Sequence, residues 1–356
     1  MKVAICWSHI SGYMAACWRA LAARPGIELS IIAESSASPV SQIAFPESML
    51  AGLDHQMLPQ SDIRNTAILK ERLLQLHPDI IVLCGWANPA FRAIARDPAF
   101  ASCRFVMTMD TPRKYSLRQF IGRLTLRPFL RRMDRIVVAG ERAWQYARFL
   151  GFAEEQIIRG VYGYDESLFN RSILDQRSTT AADWPRSFLY MGRYAAEKGL
   201  DTLVNAHNLY RETTNNPWPL TCCGKGPLAS LFTGKPLITD RGFVQPHDQP
   251  AVYREHGVLI LPSRYEPWGV VVAEAMATGM PVICSESCGA AVELLRPYYT
   301  GLLFPADNSV MLAKAMSWVT LNHDQLLSMG VHAAEYAPAF SSKLWAIRWQ
   351  QTLASL

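Results

Sequence analysis

The stretch Val258-Leu259-Ile260-Leu261-Pro262-Ser263-Arg264-Tyr265-Glu266-Pro267-Trp268-Gly269-Val270-Val271-Val272-Ala273-Glu274-Ala275-Met276-Ala277-Thr278-Gly279-Met280-Pro281-Val282-Ile283-Cys284 reads as a strand, a polar loop, a helix and a second strand. The apolar run ends at Leu261, the helical run from about Val270 to Thr278 stops at Gly279, and Pro281 opens the next strand. A helix between two short apolar runs makes a crossover, and crossovers join parallel strands of one sheet.

The same alternation runs along the whole chain. Before this stretch, Val3 to Trp7, Glu28 to Ala33, Ile80 to Cys84, Phe105 to Met109 and Arg135 to Ala139 read as strands, with helical patterns at Met14 to Ala23 and Thr66 to Leu76. A second series holds Ser187 to Met191, Leu220 to Cys223, Gly242 to Val244, Val258 to Leu261 and Val282 to Cys284. Between them the polar, aperiodic stretch Asp175 to Trp184 reads as a linker. A length of 356 residues also suggests two domains, at about 150 residues each. The expected architecture is α/β: two doubly wound, Rossmann-like parallel-sheet domains, 1–170 and 186–338, facing each other across an interdomain cleft. The helix in 341–356, with Trp345, Ile347 and Trp349, is expected to pack back on the first domain.

Composition narrows the classes. Half the residues are hydrophobic and 18% are charged, which excludes disorder for most of the chain. No run approaches the roughly 18 apolar residues of a spanning helix, and Val3 to Trp7 is too short for the apolar core of a secretory signal. The eight cysteines sit in apolar runs without C-x2-C spacing, so they read as reduced core thiols of a cytosolic protein. Residues 1–178 hold 22 Lys and Arg against 16 Asp and Glu, and residues 179–356 hold 13 against 14, so the net charge of +5 belongs to the first half.

Ligands of open parallel sheets bind outside the carboxyl ends of the strands, so polar groups just after strands are the candidates. After Leu261, Gly269 gives backbone access where the first N–H groups of the helix at Val270 lack internal partners and can hold an anion. Glu266 stands in that loop, and Glu274 lies roughly 7.5 Å along the helix axis beyond Gly269, so the two acids can meet different parts of an extended ligand. An acid among Val270, Val271, Val272, Ala273, Ala275 and Met276 needs a partner; the alternative is a surface helix residue. After Met191, the run Gly192-Arg193-Tyr194-Ala195-Ala196-Glu197-Lys198-Gly199 puts two cations near one strand end, suited to a diphosphate or merely to solvent. A third strand end carries Cys223-Gly224-Lys225-Gly226-Pro227.

In combination, Gly-Arg, Lys-Gly-Leu, Gly-x-Gly-Pro and Glu-x7-Glu resemble the nucleotide-sugar-binding half of family 4 retaining glycosyltransferases (glycosyl transferases group 1), which have the GT-B fold. The likeness covers Tyr190 to Leu203, Cys222 to Leu228 and Gly242 to Leu303, with Thr300-Gly301-Leu302-Leu303-Phe304-Pro305 at its end. The resemblance implies a hexosyltransferase in polysaccharide or glycolipid assembly that needs no cofactor beyond its nucleotide-diphosphate sugar. It implies that Arg193 and Lys198 hold the diphosphate, Glu266 the sugar hydroxyls and Glu274 the ribose, with Gly192, Gly224, Gly269 and Val270 lining the donor and the base near Val244. No D-x-D triplet occurs, so no metal is expected. The alternatives are a sugar-nucleotide epimerase or phosphorylase of the same architecture, or a catalytically silent binding partner of a glycan assembly.

The first half is less explicit. Ser8-His9-Ile10-Ser11-Gly12-Tyr13 follows the first strand and lacks G-x-G-x-x-G, against a nicotinamide cofactor; His9 and Gly12 are candidates for the acceptor side or the interdomain face. Asp110 falls where many family members have a histidine facing the donor sugar, and reads either as an acceptor-site or catalytic carboxylate or as a helix N-cap of Asp-Thr-Pro type. Residues 113–135 hold eight Lys and Arg and the single acid Asp134, interleaved with Phe120, Ile121, Leu124, Leu126, Phe129 and Leu130. That pattern suits either an anionic membrane surface, which would present a lipid-linked or glycan acceptor at its inner face, or a packed helix with a solvated basic side. No nucleic-acid motif accompanies it.

Overall fold

The computed structural model describes residues 1–35, 46–177 and 180–356. The chain forms two units, Met1–Gly163 with Ser342–Leu356, and Tyr164–Ser341.

The first unit is built on β1 (Lys2–Trp7), β2 (Glu28–Glu34), β3 (Asp54–Leu58), β4 (Ile80–Cys84), β5 (Arg104–Met109), β6 (Arg135–Val138) and β7 (Ile157–Arg159). They form one sheet in the order β3-β2-β1-β4-β5-β6-β7, every pair parallel. β1 is central, with Ile5 opposite both Ile31 and Val82. Helices cover both faces, so Ile5, Ile31 and Val82 are buried on either side, which is why the inner strands read as unbroken apolar runs.

The second unit is built on β8 (Phe188–Met191), β9 (Leu220–Cys223), β10 (Ile238–Gly242), β11 (Val258–Leu261), β12 (Val282–Ser285) and β13 (Gly301–Phe304). Its parallel sheet runs β10-β9-β8-β11-β12-β13. The strand expected at Gly242 to Val244 lies earlier: β10 ends at Gly242, and Val244 is in the loop beyond it. Three of the five residues of β10 are exposed, so this edge strand has no apolar run to announce it.

The helix Ser342–Ala354 belongs to the first unit. Its Trp345 and Trp349 donate indole N–H bonds to the carbonyls of Val161 (2.8 Å) and Gly160 (3.1 Å), just after β7. The expected linker is corrected. Ser172–Arg177 is helical, and Ile173, Leu174, Arg177 and Trp184 are all buried in the second unit, so that unit begins at Tyr164 rather than near 186. Arg177 donates to the carbonyls of Thr278 (2.8 Å), Gly279 (2.9 Å) and Tyr253 (2.8 Å), placing a cation at the C-terminus of the helix Val270–Ala277. Burial pulls its guanidinium down to about 9. Among the described residues no helix is long and apolar enough to cross a membrane.

Candidate functional site

Strand order alone points to a location. In the second sheet the chain winds one way through β8, β9 and β10 and the other way through β11, β12 and β13, so direction reverses between β8 and β11. The loops leaving two such strands diverge and open a crevice at their carboxyl ends. Those loops are Gly192–Gly199 and Pro262–Gly269.

Their side chains meet. The Lys198 ammonium donates to Glu266 Oε2 in a close ion pair, with side chains 11% and 13% exposed. Arg193 pairs instead with Glu197 at 2.8 Å and is 61% exposed. The two cations are thus held by separate carboxylates. Backbone bonds lock the loops together: Arg264 and Tyr265 donate their N–H groups to the Glu197 carbonyl (2.9 and 3.1 Å).

Sequence reasoning missed the residue that organises this junction. The Arg264 guanidinium reaches the Ala196 carbonyl (2.9 Å), Asp201 (2.5 Å) and Asp307, tying both loops to the helix Leu200–Thr213. Its hydrogen bond holds the Asp201 carboxyl below its usual range. Only its place three residues after β11 could have marked it, since an arginine in a polar loop carries no periodicity.

Two glycines are required by close approach. A Cβ on Gly224 would lie 1.9 Å from the Gly192 carbonyl oxygen, so the ends of β8 and β9 close on each other only without a side chain there. Gly269 has φ +97°, and a Cβ on it would meet Cys288 Sγ at 2.9 Å and the Glu266 side chain at 3.1 Å. The left-handed turn at Gly269 lets the chain pass from the Glu266 loop into the helix Val270–Ala277, whose first N–H groups then face that loop.

Glu274 is partly buried on that helix and accepts a hydrogen bond from the Tyr253 hydroxyl at 3.3 Å, so it is not a freely solvated surface acid. Burial pushes its carboxyl up from 4.5 to about 7, with the charge of Asp165 adding to the rise. Between these values the folded chain keeps a proton that the unfolded chain has lost. Stability therefore falls as pH rises from about 4.5 to about 7, by up to about 3 kcal/mol, and levels off above. Glu274→Gln should flatten that slope and raise the melting temperature above pH 7, as thermal unfolding across the range would show; an unchanged slope contradicts the assignment.

In the first sheet the winding reverses between β1 and β4. Ser8 Oγ and Cys84 Sγ lie 3.6 Å apart at these strand ends. Beside them, after β5, Asp110 accepts a hydrogen bond from the Tyr162 hydroxyl at 2.9 Å. Burial first, and then the Asp110 charge, raise the Tyr162 phenol well above its usual range, so it stays a donor. The helix N-cap reading of Asp110 is corrected: the next helix starts at Leu117 and is capped by Ser116. Gly12 is not in a loop but opens the helix Gly12–Ala22, capped by Ser11, and the exposed His9 has Nδ1 3.8 Å from Glu34.

Residues 174–336 match the family model for glycosyl transferases group 1. An uncharacterized glycosyltransferase of Methanocaldococcus jannaschii is 29% identical over 134 residues, 36% of this chain and 34% of that protein. A D-inositol 3-phosphate glycosyltransferase of Corynebacterium efficiens is 30% identical over 169 residues, 44% of this chain and 39% of that protein. The chain thus aligns with little more than a third of the length of these relatives. Among solved structures, sucrose-phosphate synthase from Thermosynechococcus elongatus superposes with a TM-score of 0.77 at 19% identity, over 100% of this chain and 98% of that one. Anabaena HepE, in complex with UDP-glucose, gives 0.75 at 17% identity over the full length of both. The fold is therefore GT-B.

Proposed function

We propose that this chain, whose second unit carries a glycosyl transferases group 1 domain, is a retaining, metal-independent glycosyltransferase. It takes a sugar from a nucleotide-diphosphate donor and delivers it to a glycan or lipid-linked acceptor in the assembly of a cell-surface polysaccharide or glycolipid, working from the cytoplasmic face. The observation that carries this reading is the meeting of Lys198 and Glu266 at the point where the second sheet reverses direction. HepE structures hold UDP and UDP-glucose, which makes these the first ligands to try.

In this reading Lys198, Arg193 and the N-terminus of the helix Val270–Ala277 oppose the charge that builds on the departing diphosphate. Glu266 accepts from the sugar hydroxyls and Glu274 from the ribose, with Gly192, Gly224, Gly269, Val270 and Val244 lining the donor. The acceptor oxygen bonds to the anomeric carbon on the face from which the phosphate oxygen leaves, and the acceptor proton passes to that phosphate. Asp110, steadied by Tyr162, serves the acceptor side with His9 and Gly12.

The test is product analysis with nucleotide sugars and candidate acceptors, with and without a chelator, reading the anomeric proton by NMR. A new glycoside with the donor's anomeric configuration, formed equally with chelator, is expected. An inverted product or a metal requirement overturns the mechanism. An isomerised sugar nucleotide, a sugar phosphate, or binding without turnover replaces transfer by epimerase, phosphorylase or silent-partner activity. Glu274→Ala should weaken nucleotide binding itself, measured by calorimetry, and unchanged affinity contradicts its ribose role.

A further inference from the structure

The helix Leu117–Thr125 in the first unit is turned the opposite way from a packed helix. At 3.6 residues per turn, Leu117, Phe120, Ile121 and Leu124 form one stripe. They are 74%, 52%, 50% and 58% exposed, and the neighbouring Tyr115 is 78% exposed. The face toward the protein is Gln119, whose amide accepts from Lys114 N (2.7 Å) and donates to the Pro112 carbonyl (2.9 Å), and Gly122, which lies near the Tyr146 hydroxyl. The alternative of an ordinary packed helix with only a solvated basic side is thereby corrected: the apolar side is the solvated one.

Charge frames the stripe. Arg118 and Arg123 flank it on its two sides, and Arg127 and Arg131 continue beyond it; all four are exposed and none has a carboxylate partner among the described residues. The single acid of the segment, Asp134, is already engaged by Arg104 (3.0 Å) and Arg132 (3.9 Å). Alongside lies a groove of about 630 Å³, walled by Phe120, Leu124 and Phe152 and edged by Arg123, Arg127 and Arg131.

We infer that this face docks on an anionic bilayer, the Leu117–Leu124 stripe entering the headgroup layer while Arg118, Arg123, Arg127 and Arg131 meet lipid phosphates. Apolar side chains pointing outward between arginines that no described carboxylate neutralises are complementary to a layer that is apolar beneath and anionic above. The inference deepens the proposed function by naming the surface on which a lipid-borne acceptor is met, and it rests on that reading only for what the docking serves.

The test is co-sedimentation of the full chain with phosphatidylcholine vesicles, with and without phosphatidylglycerol, at low and high salt, with no donor present. Binding is expected only with phosphatidylglycerol, weakening as salt rises. Arg118→Ser and Arg123→Ser should each lower partitioning about fivefold, and the double change Phe120→Ser, Leu124→Ser by about tenfold or more. Thermal unfolding with and without nucleotide checks that the variants fold and keep their donor site. Equal binding to both vesicle types, or undiminished binding by the double variant, overturns the docking. So does a concentration-dependent doubling of mass without lipid that the double variant abolishes, which assigns the face to a second copy. A chain that ignores vesicles yet is stabilised by nucleotide refutes the docking alone; one that binds vesicles but no nucleotide refutes the donor reading alone.

Discussion

Glu266→Ala should lower glycosyl transfer by about 100- to 1,000-fold, the range seen when one preorganised electrostatic contact to a transition state is removed, while nucleoside diphosphate binds at least as tightly as before. The second half of this expectation comes from the structure. Lys198 is committed to Glu266, both largely buried. A diphosphate must share or displace that carboxylate to reach the ammonium. Removing the carboxylate frees the cation for phosphate but leaves the sugar ungripped. The variant also leaves a largely buried ammonium without its partner, a cost of about 3 kcal/mol that lowers the melting temperature and that added nucleoside diphosphate should recover in part. Steady-state rates beside calorimetry of the nucleotide check the split. Normal transfer, or a nucleotide affinity that falls with the rate, contradicts it.

Lys198→Ala should do the reverse, lowering both nucleotide affinity and transfer. A charge-assisted hydrogen bond contributes about 1.5–3 kcal/mol, so affinity should drop by about one to two orders of magnitude. Arg193→Ala should cost less. Its side chain is 61% exposed and its pair with Glu197 is a surface one, and exposed pairs are worth about 0–1 kcal/mol. The sequence treats these two cations alike; their burial separates them. An Arg193 variant weaker than the Lys198 variant in nucleotide titrations would reverse the assignment.

What could be read in the chain and what could not divides along the sheets. β1, β2, β4, β5 and β6, and β8, β9, β11 and β12, are apolar runs because helices cover both faces of the inner strands. The strands that were unread or misplaced are the four edges. β3 is Asp-His-Gln-Met-Leu and β10 is Ile-Thr-Asp-Arg-Gly, both polar and part-exposed, and β7 has three residues; β13, Gly-Leu-Leu-Phe, is as apolar and as long as the inner strands of its sheet, and its composition does not explain the miss. At β3, β7 and β10 the edge strand needs only one neighbour and tolerates solvent, so its pattern fades. In the site, Glu266, Lys198, Gly269 and Glu274 were legible because each sits at a fixed offset from an inner strand. Arg264 was not, because its role is to join loops that are distant in sequence, and neither was the Tyr162 partner of Asp110, 52 residues away. The outward turn of Leu117, Phe120, Ile121 and Leu124 was equally hidden, since periodicity shows that a stripe exists and not which way it faces.

The most direct measurement is calorimetric titration of the wild-type chain, Lys198→Ala and Glu266→Ala with UDP, GDP, ADP, TDP and CMP. One diphosphate is expected to bind the wild-type chain, to bind Lys198→Ala at least about tenfold more weakly, and to bind Glu266→Ala undiminished. Equal binding by wild type and Lys198→Ala, or no binding by any of the five, would contradict this expectation.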